Sequence, residues 1–541
     1  MEKAAAGGKK RGRSARHLDP AKLPALYTIV VGVALVIMDS TIANVATPVV
    51  LRDLKMNSSQ VEWMTAIYSL VFAALLLTVG RVGDLYGRRR VFVSGMIVFL
   101  IGSVLAGSAV SGEMLISARF IEGVGAAMIM PTALSTLNVM FVGRDRSIAF
   151  ATYGAVIGGM AAVGPLVGGW LATDVTWRWA FWLNIPFAVL VLIGAFLFLK
   201  ENSEEGAHGL DVGGAVLSAI GMGGIVFGLI EGQFYGWFVQ KDGSVSPVPF
   251  AFGIGIVALI WFILLERSRR RAGKTVLLDL TLFRIKTFRF GATTSLIIAL
   301  GEYGLLFVLP LLLQNALGFS ALGTGWLIFA LAIGTFFISA LVPNLAHHLS
   351  TRTIVRIGVA IEAVALFGLG LSISADITGW GIAAWLFIYG IGTGMTTSQL
   401  TNIVLSEVPE AESGQASGAQ STGRQIGSAF GIAIMGAILL AVLGSSTRAS
   451  LEDQNLPTAQ VTKITDAVTA SDGSIIPQLK ANPETAKQGQ AAADALIDAS
   501  KLVALTGSGV LVLGLITTLA IPRPRKLDAI QQETLPAAAS E

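Results

Sequence analysis

Residues Gly80 to Arg90 read GRVGDLYGRRR, placing one aspartate, four arginines and three glycines within eleven positions. The stretches on either side, 60–79 and 91–110, are apolar and read as membrane-spanning helices. A tight charged turn between them can hold two helices together through a carboxylate–guanidinium network while its arginines face the cytoplasm. Arginines alone would fit an ordinary basic loop that obeys the positive-inside rule. The spacing of the glycines and the aspartate does not follow from that rule.

Composition places the rest of the chain in the same setting. The 541 residues are 53% hydrophobic and only 13% charged, with a mean hydropathy of +0.71, against about 25% charged in soluble domains. Charges cluster in short runs between long apolar stretches, as expected where only loops meet water. A formal charge of +4 is too small to imply nucleic-acid binding. There is no cysteine, which excludes disulfides, thiolate metal sites and a cysteine nucleophile. The four histidines (His17, His208, His347, His348) fall in tails or loops, so no metal or other cofactor is expected. The first 24 residues are polar and basic and lack an apolar core. The first span is therefore expected to serve as the anchor, without a cleaved signal peptide.

Fourteen segments are long enough to cross roughly 30 Å of hydrocarbon. They lie near 27–47, 61–79, 91–110, 114–138, 148–172, 179–199, 211–230, 248–265, 290–313, 322–342, 354–373, 380–402, 418–443 and 501–521. With the N-terminus inside, 27 of the 38 lysines and arginines fall in cytoplasmic segments, so both termini are expected in the cytoplasm. The implied organisation is a basic N-tail (1–24), a six-helix bundle (25–200), a linker carrying helices 7 and 8 (201–285), a second six-helix bundle (286–521) and a C-tail (522–541). Helices 7 and 8 carry no charge in their middles and read as a connecting hairpin against lipid. The polar stretch 444–500 reads as a re-entrant hairpin, a partner site or a flexible loop, its second half alanine-rich and helical.

Several motifs place charged or small residues inside apolar spans. Asp39 sits within Asp39-Ser40-Thr41-Ile42-Ala43-Asn44-Val45-Ala46-Thr47-Pro48 of span 1. A carboxylate at bilayer depth costs a few kcal/mol even on lenient scales, so it should face a cavity or a partner. In span 4, Arg119 and Glu122 are three residues apart and share a helix face. Arg119 lies about 9 Å from the outer surface, near the level of Asp39 at a rise of about 1.5 Å per residue. Structural pairing and a proton relay both fit this pair. Span 5 carries Gly164-Pro165 and Gly168-Gly169, small residues that permit close helix contact beside a bend. Glu302, twelve residues into span 9, is a mid-membrane carboxylate, and Glu362 in span 11 is another candidate. Arg424 lies within Gly423-Arg424-Gln425-Ile426-Gly427. The loop after span 10 lacks a counterpart to Asp84, so the two halves are not equivalent in gating.

These motifs resemble a known set. Gly80-x-x-x-Asp84-x-x-Gly87-Arg88-Arg89 resembles the loop-2–3 signature of the major facilitator superfamily. The span-1 string resembles that of its fourteen-span drug:proton antiporters, and Gly164-Pro165-x-x-Gly168-Gly169 looks like their span-5 antiporter motif. Arg119-x-x-Glu122 resembles the span-4 motif, with glutamate in place of the family's glutamine. Trp177-Arg178-Trp179-Ala180-Phe181-Trp182-Leu183-Asn184-Ile185-Pro186 is similar to the entry of span 6 and supports membership without marking a substrate site. The stretch around Arg424 is similar to one in span 13.

The resemblance implies an all-α membrane protein of the major facilitator fold, two six-helix bundles plus two central helices, alternating access to a central cavity. It implies a proton-coupled antiporter in the bacterial cytoplasmic membrane, working as a monomer among lipids and exporting hydrophobic, cationic drugs. Asp39, Arg119, Glu122 and Glu302 would carry proton coupling or bind substrate. Asp84, Arg88 and their neighbours (Gly80, Gly87, Arg89) would gate the inner side from the N-terminal half. Export of one endogenous lipid, siderophore or antibiotic is the alternative. No nucleophile constellation or phosphate loop supports an enzyme.

Overall fold

The computed structural model describes residues 20–56, 58–201, 209–240, 243–454 and 456–522. Most of both expected tails, His17, His208 and residues 202–208 of the linker lie outside the described residues.

Fourteen long helices organise the chain. In the first half these are α1 (Leu23–Asp53), α2 (Ser58–Tyr86), α3 (Arg88–Gly107), α4 (Gly112–Met140), α5 (Gly143–Trp170) and α6 (Asn184–Phe198). The middle pair is α7 (Val212–Tyr235) and α8 (Val248–Arg271). The second half has α9 (Lys286–Leu311), α10 (Ala321–His348), α11 (Thr351–Ser372), α12 (Gly379–Val404), α13 (Ser413–Glu452) and α14 (Ala486–Leu519). In an apolar medium the helix is the form that satisfies every backbone donor and acceptor internally. Side chains close several starts: Ser111, Asp211, Ser320, Ser350 and Thr378 each accept from the backbone N–H three residues on.

Thirteen described helices are long and apolar enough to cross a membrane. The expected twelfth span exists as α12, 26 residues long, but its hydropathy is lowered by polar residues. Thr393, Thr396, Thr397, Ser398, Gln399 and Thr401 are all buried there. Several bond back to their own helix, with the Thr393, Ser398 and Thr401 hydroxyls donating to the carbonyls of Tyr389, Gly394 and Thr397. Shielded this way, a polar helix can occupy the interior of a bundle without facing lipid.

Helices α1–α6 pack into one bundle and α9–α14 into another. The bundles meet through α2 on α13, α5 on α10 and α12, and α4 on α13. The α7–α8 hairpin lies across this junction, with α7 on α2 and α13. Phe250, Ile254 and Trp261 of α8 point outward, as lipid exposure requires. The hairpin is therefore not purely lipid-packed, since one face of α7 rests on both bundles.

Two sequence expectations are corrected here. Gly80–Arg90 is not an eleven-residue loop: α2 runs on to Tyr86 and α3 begins at Arg88, leaving Gly87 as the turn. Its φ of +104° is one that side-chain-bearing residues rarely adopt, so glycine makes the turn possible. Residues 444–500 form neither a re-entrant hairpin nor a structureless loop. Helices α13 and α14 extend into its two ends and are joined by short helices Thr458–Ala470 and Ile476–Ala481 around buried Leu451, Val461 and Leu496.

Glycines set the closest helix crossings. A Cβ on Gly164 would fall on the Thr41 hydroxyl of α1, and one on Gly168 would meet Ile42 Cα at 3.1 Å. Gly164→Val should therefore pry α5 from α1 and destabilise the protein by about 1–3 kcal/mol, the usual cost of overpacking. Thermal unfolding in detergent should show a lower midpoint for that variant. An unchanged midpoint would mean that α5 does not depend on this crossing.

Candidate functional site

Asp39 on α1 and Arg119 and Glu122 on α4 meet inside the first bundle. Arg119 Nη1 donates to Asp39 Oδ2 at 2.6 Å and to Glu122 Oε2 at 2.7 Å. All three side chains are sealed from solvent, Arg119 keeping 2% exposure and both carboxylates none. Two residues that sequence reasoning missed complete the cluster. Asn184 Nδ2, at the first residue of α6, donates to Asp39 Oδ1 at 2.9 Å and to Ser103 Oγ at 3.1 Å. Ser103 Oγ donates in turn to Glu122 Oε1 at 2.9 Å. The Tyr68 ring of α2 lies 4.2 Å from the Arg119 guanidinium carbon, and its hydroxyl donates to the Val36 carbonyl. Asn184 is an amide opening an otherwise apolar span, which was the available signal. The side chains of Asn44–Pro48, the rest of the span-1 motif, lie outside the described ones.

A cavity of about 430 Å³ lies between the bundles, within the range of small-molecule sites. Tyr68 and Arg119 form part of its wall from the first half, and Tyr303, Phe307 and Arg424 from the second. Asp39, Glu122 and Glu302 do not line it. Glu302 sits behind Arg424, its Oε2 3.6 Å from Arg424 Nη2. The expectation of Glu302 as a cavity carboxylate is thus replaced by a guanidinium surface. Glu362 on α11 is fully enclosed, packed over Gly392 of α12, and is likewise absent from the cavity wall. Pro165 lines the cavity while Gly164 and Gly168 carry the α1 crossing. Gly169 is buried on the same helix.

The second constellation lies at the Gly87 end. Asp84 is fully buried and its carboxylate reaches across to the other half. Oδ1 accepts from Gly414 N at 2.9 Å and Oδ2 from Gln415 N at 3.0 Å, the first free amides of α13. Arg88 Nη2 donates to Asp84 Oδ1 at 2.7 Å and to the Glu410 carbonyl at 2.7 Å. Helix α13 has no cap from its own residue Glu412, so Asp84 caps it from the other bundle, where a carboxylate also favours the positive end of the helix. Gly80 permits this approach, since a Cβ there would strike the Gly414 carbonyl. Arg89 lies apart from this network. It donates to the Phe196 carbonyl of α6 at 2.9 Å, and its backbone N–H donates to Glu201.

The opposite pairing of halves uses other chemistry. Arg146 of α5 donates to the Asn402 carbonyl at 3.2 Å, and Ser147 to Gln399 Oε1 at 3.3 Å. No carboxylate takes part in either bond. At the other end of the bundle, Asp53 Oδ2 accepts from Trp177 Nε1 and Arg178 Nη1, both at 2.8 Å. These two bonds, the tryptophan's first, hold the Asp53 carboxyl below its ordinary range. Trp177 and Arg178 thus tie α1 to the entry of α6, and neither lines the cavity.

Residues 29–432 match the family model for the Major Facilitator Superfamily. The chain belongs to this superfamily. This superfamily member is a transporter rather than an enzyme, a multi-pass helical membrane protein. It is 32% identical over 429 residues to the probable actinorhodin transporter of Streptomyces coelicolor, covering 77% of this chain and 72% of that one. It is 28% identical over 424 residues to the multidrug resistance protein Stp of Mycobacterium tuberculosis, covering 78% and 76%. Among solved structures, the proton:xylose symporter XylE superposes with a TM-score of 0.60 at 12% identity, covering 96% of this chain and 100% of that one. The last likeness concerns the fold alone.

Asp84→Asn keeps the shape and removes the charge that Arg88 and the α13 amides share. Losing charge-assisted bonds at a buried site costs about 1–3 kcal/mol, so the separated arrangement of α2 and α13 should gain about 5- to 150-fold in population. The chain has no cysteine, so a Tyr86→Cys/Glu410→Cys pair can be spin-labelled uniquely. Distances measured between the labels should lengthen in Asp84→Asn. An unchanged distribution would remove Asp84 from the closure of this end.

Proposed function

We propose that this protein exports hydrophobic small molecules from the bacterial cytoplasm by proton antiport, with the Gly87 end facing the cytoplasm. The observation that carries the reading is the enclosed Asp39–Arg119–Glu122 cluster directly behind a wall of the cavity. Relatives named as antibiotic transporters and multidrug resistance proteins support the export direction. The concentration of basic residues at the Gly87 end supports the orientation.

The chemistry follows from the charge count. Two carboxylates on one guanidinium leave one negative charge unbalanced in an apolar interior, a strong reason to bind a proton. With both carboxylates ionised, Arg119 is held back by two bonds and the cavity stays open for a hydrophobic ligand beside Tyr68. A proton arriving from outside neutralises one carboxylate and releases one of these bonds. Arg119 then advances into the space the ligand occupied, so proton and ligand exclude each other. Return of the proton to the cytoplasm restores the two-bond arrangement and the empty cavity. Asn184 and Ser103 are positioning residues that keep both carboxylates oriented while the proton comes and goes.

Asp84 supplies the alternation. With its carboxylate on the α13 amides, the cytoplasmic end is closed. Breaking those bonds leaves the amides to water and opens that side. The proton gradient is the driving force, no cofactor enters the cycle, and the monomer holds every part it needs. The likeness to a probable actinorhodin transporter favours a second reading, dedicated export of one antibiotic.

Efflux of a panel of dyes and antibiotics from cells, with and without a protonophore, tests both readings. Export should collapse with the protonophore and in Asp39→Asn by at least tenfold, while Asp53→Asn retains it. Efflux by Asp39→Asn at the wild-type rate would remove Asp39 from coupling. Export confined to one compound would favour the dedicated reading.

A further inference from the structure

The described wall of the cavity contains no aspartate, glutamate or lysine. Its charged side chains are Arg119 and Arg424, and its other polar groups are neutral, among them Gln314, Gln420 and Gln425. The two guanidiniums are not equivalent. Arg119 is committed, bonded at short distance to two carboxylates and laid against the Tyr68 ring. Arg424 touches its carboxylate less closely: its Nη2 stands 3.6 Å from Glu302, and the side chain bonds to the neutral Tyr303 hydroxyl. That side chain keeps 19% exposure, against 9% for Glu302 behind it.

We propose that Arg424 is the polar anchor of the ligand site, selecting hydrophobic compounds that carry an anionic oxygen group and disfavouring cations. The inference rests on the cavity being the site of the exported compound and names the class of that compound. A ligand carboxylate or phenolate in the cavity meets the Arg424 guanidinium first and the Glu302 carboxylate only beyond it. Coulomb interaction falls with distance, so the nearer guanidinium decides the sign. Guanidinium also matches a planar oxyanion with two donors. A cation finds no acid oxygen in the wall. Tyr68, whose ring would be a platform for a cationic head, already carries Arg119 on it. The rest of the wall, including Phe72, Phe307 and Ile328, suits an apolar skeleton.

The test uses one fluorophore with opposite charges. Binding of 1-pyrenecarboxylate and 1-pyrenemethylammonium is measured by fluorescence on the full-length protein in nanodiscs, against empty nanodiscs, in near-neutral buffer where the acid is ionised and the amine protonated. The carboxylate should bind at least tenfold more tightly. Arg424→Gln should abolish that preference, because the guanidinium left in the wall, Arg119, is already offset by Asp39 and Glu122. Glu302→Gln should strengthen carboxylate binding severalfold by freeing Arg424. Arg424→Lys should retain part of the preference and shows that the site tolerates substitution. Equal or tighter binding of the ammonium by the unaltered protein overturns the proposal, as does an unchanged ratio in Arg424→Gln. Binding is measured without a gradient, so failure of proton-driven export would leave this result standing. Proven export with a preference for cations would overturn this inference alone.

Discussion

A guanidinium held between two carboxylates within an apolar bundle is the constraint around which the first half is built. Bare charge in such surroundings is so costly that every neighbour must satisfy it. The solution draws on five helices: Asp39 from α1, Tyr68 from α2, Ser103 from α3, Arg119 and Glu122 from α4, and Asn184 from α6. Removing one member strands the others, so the cluster fixes the relative positions of these helices as well as holding charge. The same arrangement leaves the account of a proton open by one charge, and that is where transport chemistry enters.

The interaction between the halves is of a different kind. Asp84 caps a helix belonging to the other bundle, and Arg88 spans from that carboxylate to the Glu410 carbonyl. Helix-end amides can be satisfied by water as well as by a carboxylate. These bonds can therefore break and reform as the halves rock, whereas the Arg119 cluster lies within one half and responds to the arrival or loss of a proton. Charge that answers to a proton inside one bundle and exchangeable charge between bundles divide the labour of the fold. The α7–α8 hairpin and the linker after it bear on this junction, since Asp279 N donates to the Gln415 side chain beside the Asp84 bonds.

Much of this was legible in the residues. The apolar runs gave the helices, and Asp39 and Arg119 were read at similar levels, although their contact was not foreseen. Asp84 was readable as a partner of arginine but not of the α13 amides, because a bond between residues 330 positions apart leaves no local mark. Asn184 was hidden inside a tryptophan-rich string that reads as an interfacial belt. Glu302 was read as a cavity carboxylate but stands behind Arg424, since position along a helix says nothing about which side chain stands in front. The polar residues of α12 bond mostly to their own helix, which is why a run of poor hydropathy still forms one. The extension of α14 was readable from its alanine-rich sequence, whereas α13 runs on to Glu452 through a polar stretch with no apolar run to mark it.

The central claim is that a proton resides on the Asp39–Arg119–Glu122 cluster and leaves it during the cycle. Difference infrared spectroscopy of the purified protein, stepped from acidic to alkaline buffer, reads this directly. A protonated-carboxyl band should disappear on alkalinisation in the unaltered protein and be absent or strongly reduced in both Asp39→Asn and Glu122→Gln. A band of undiminished size in both variants would contradict the account.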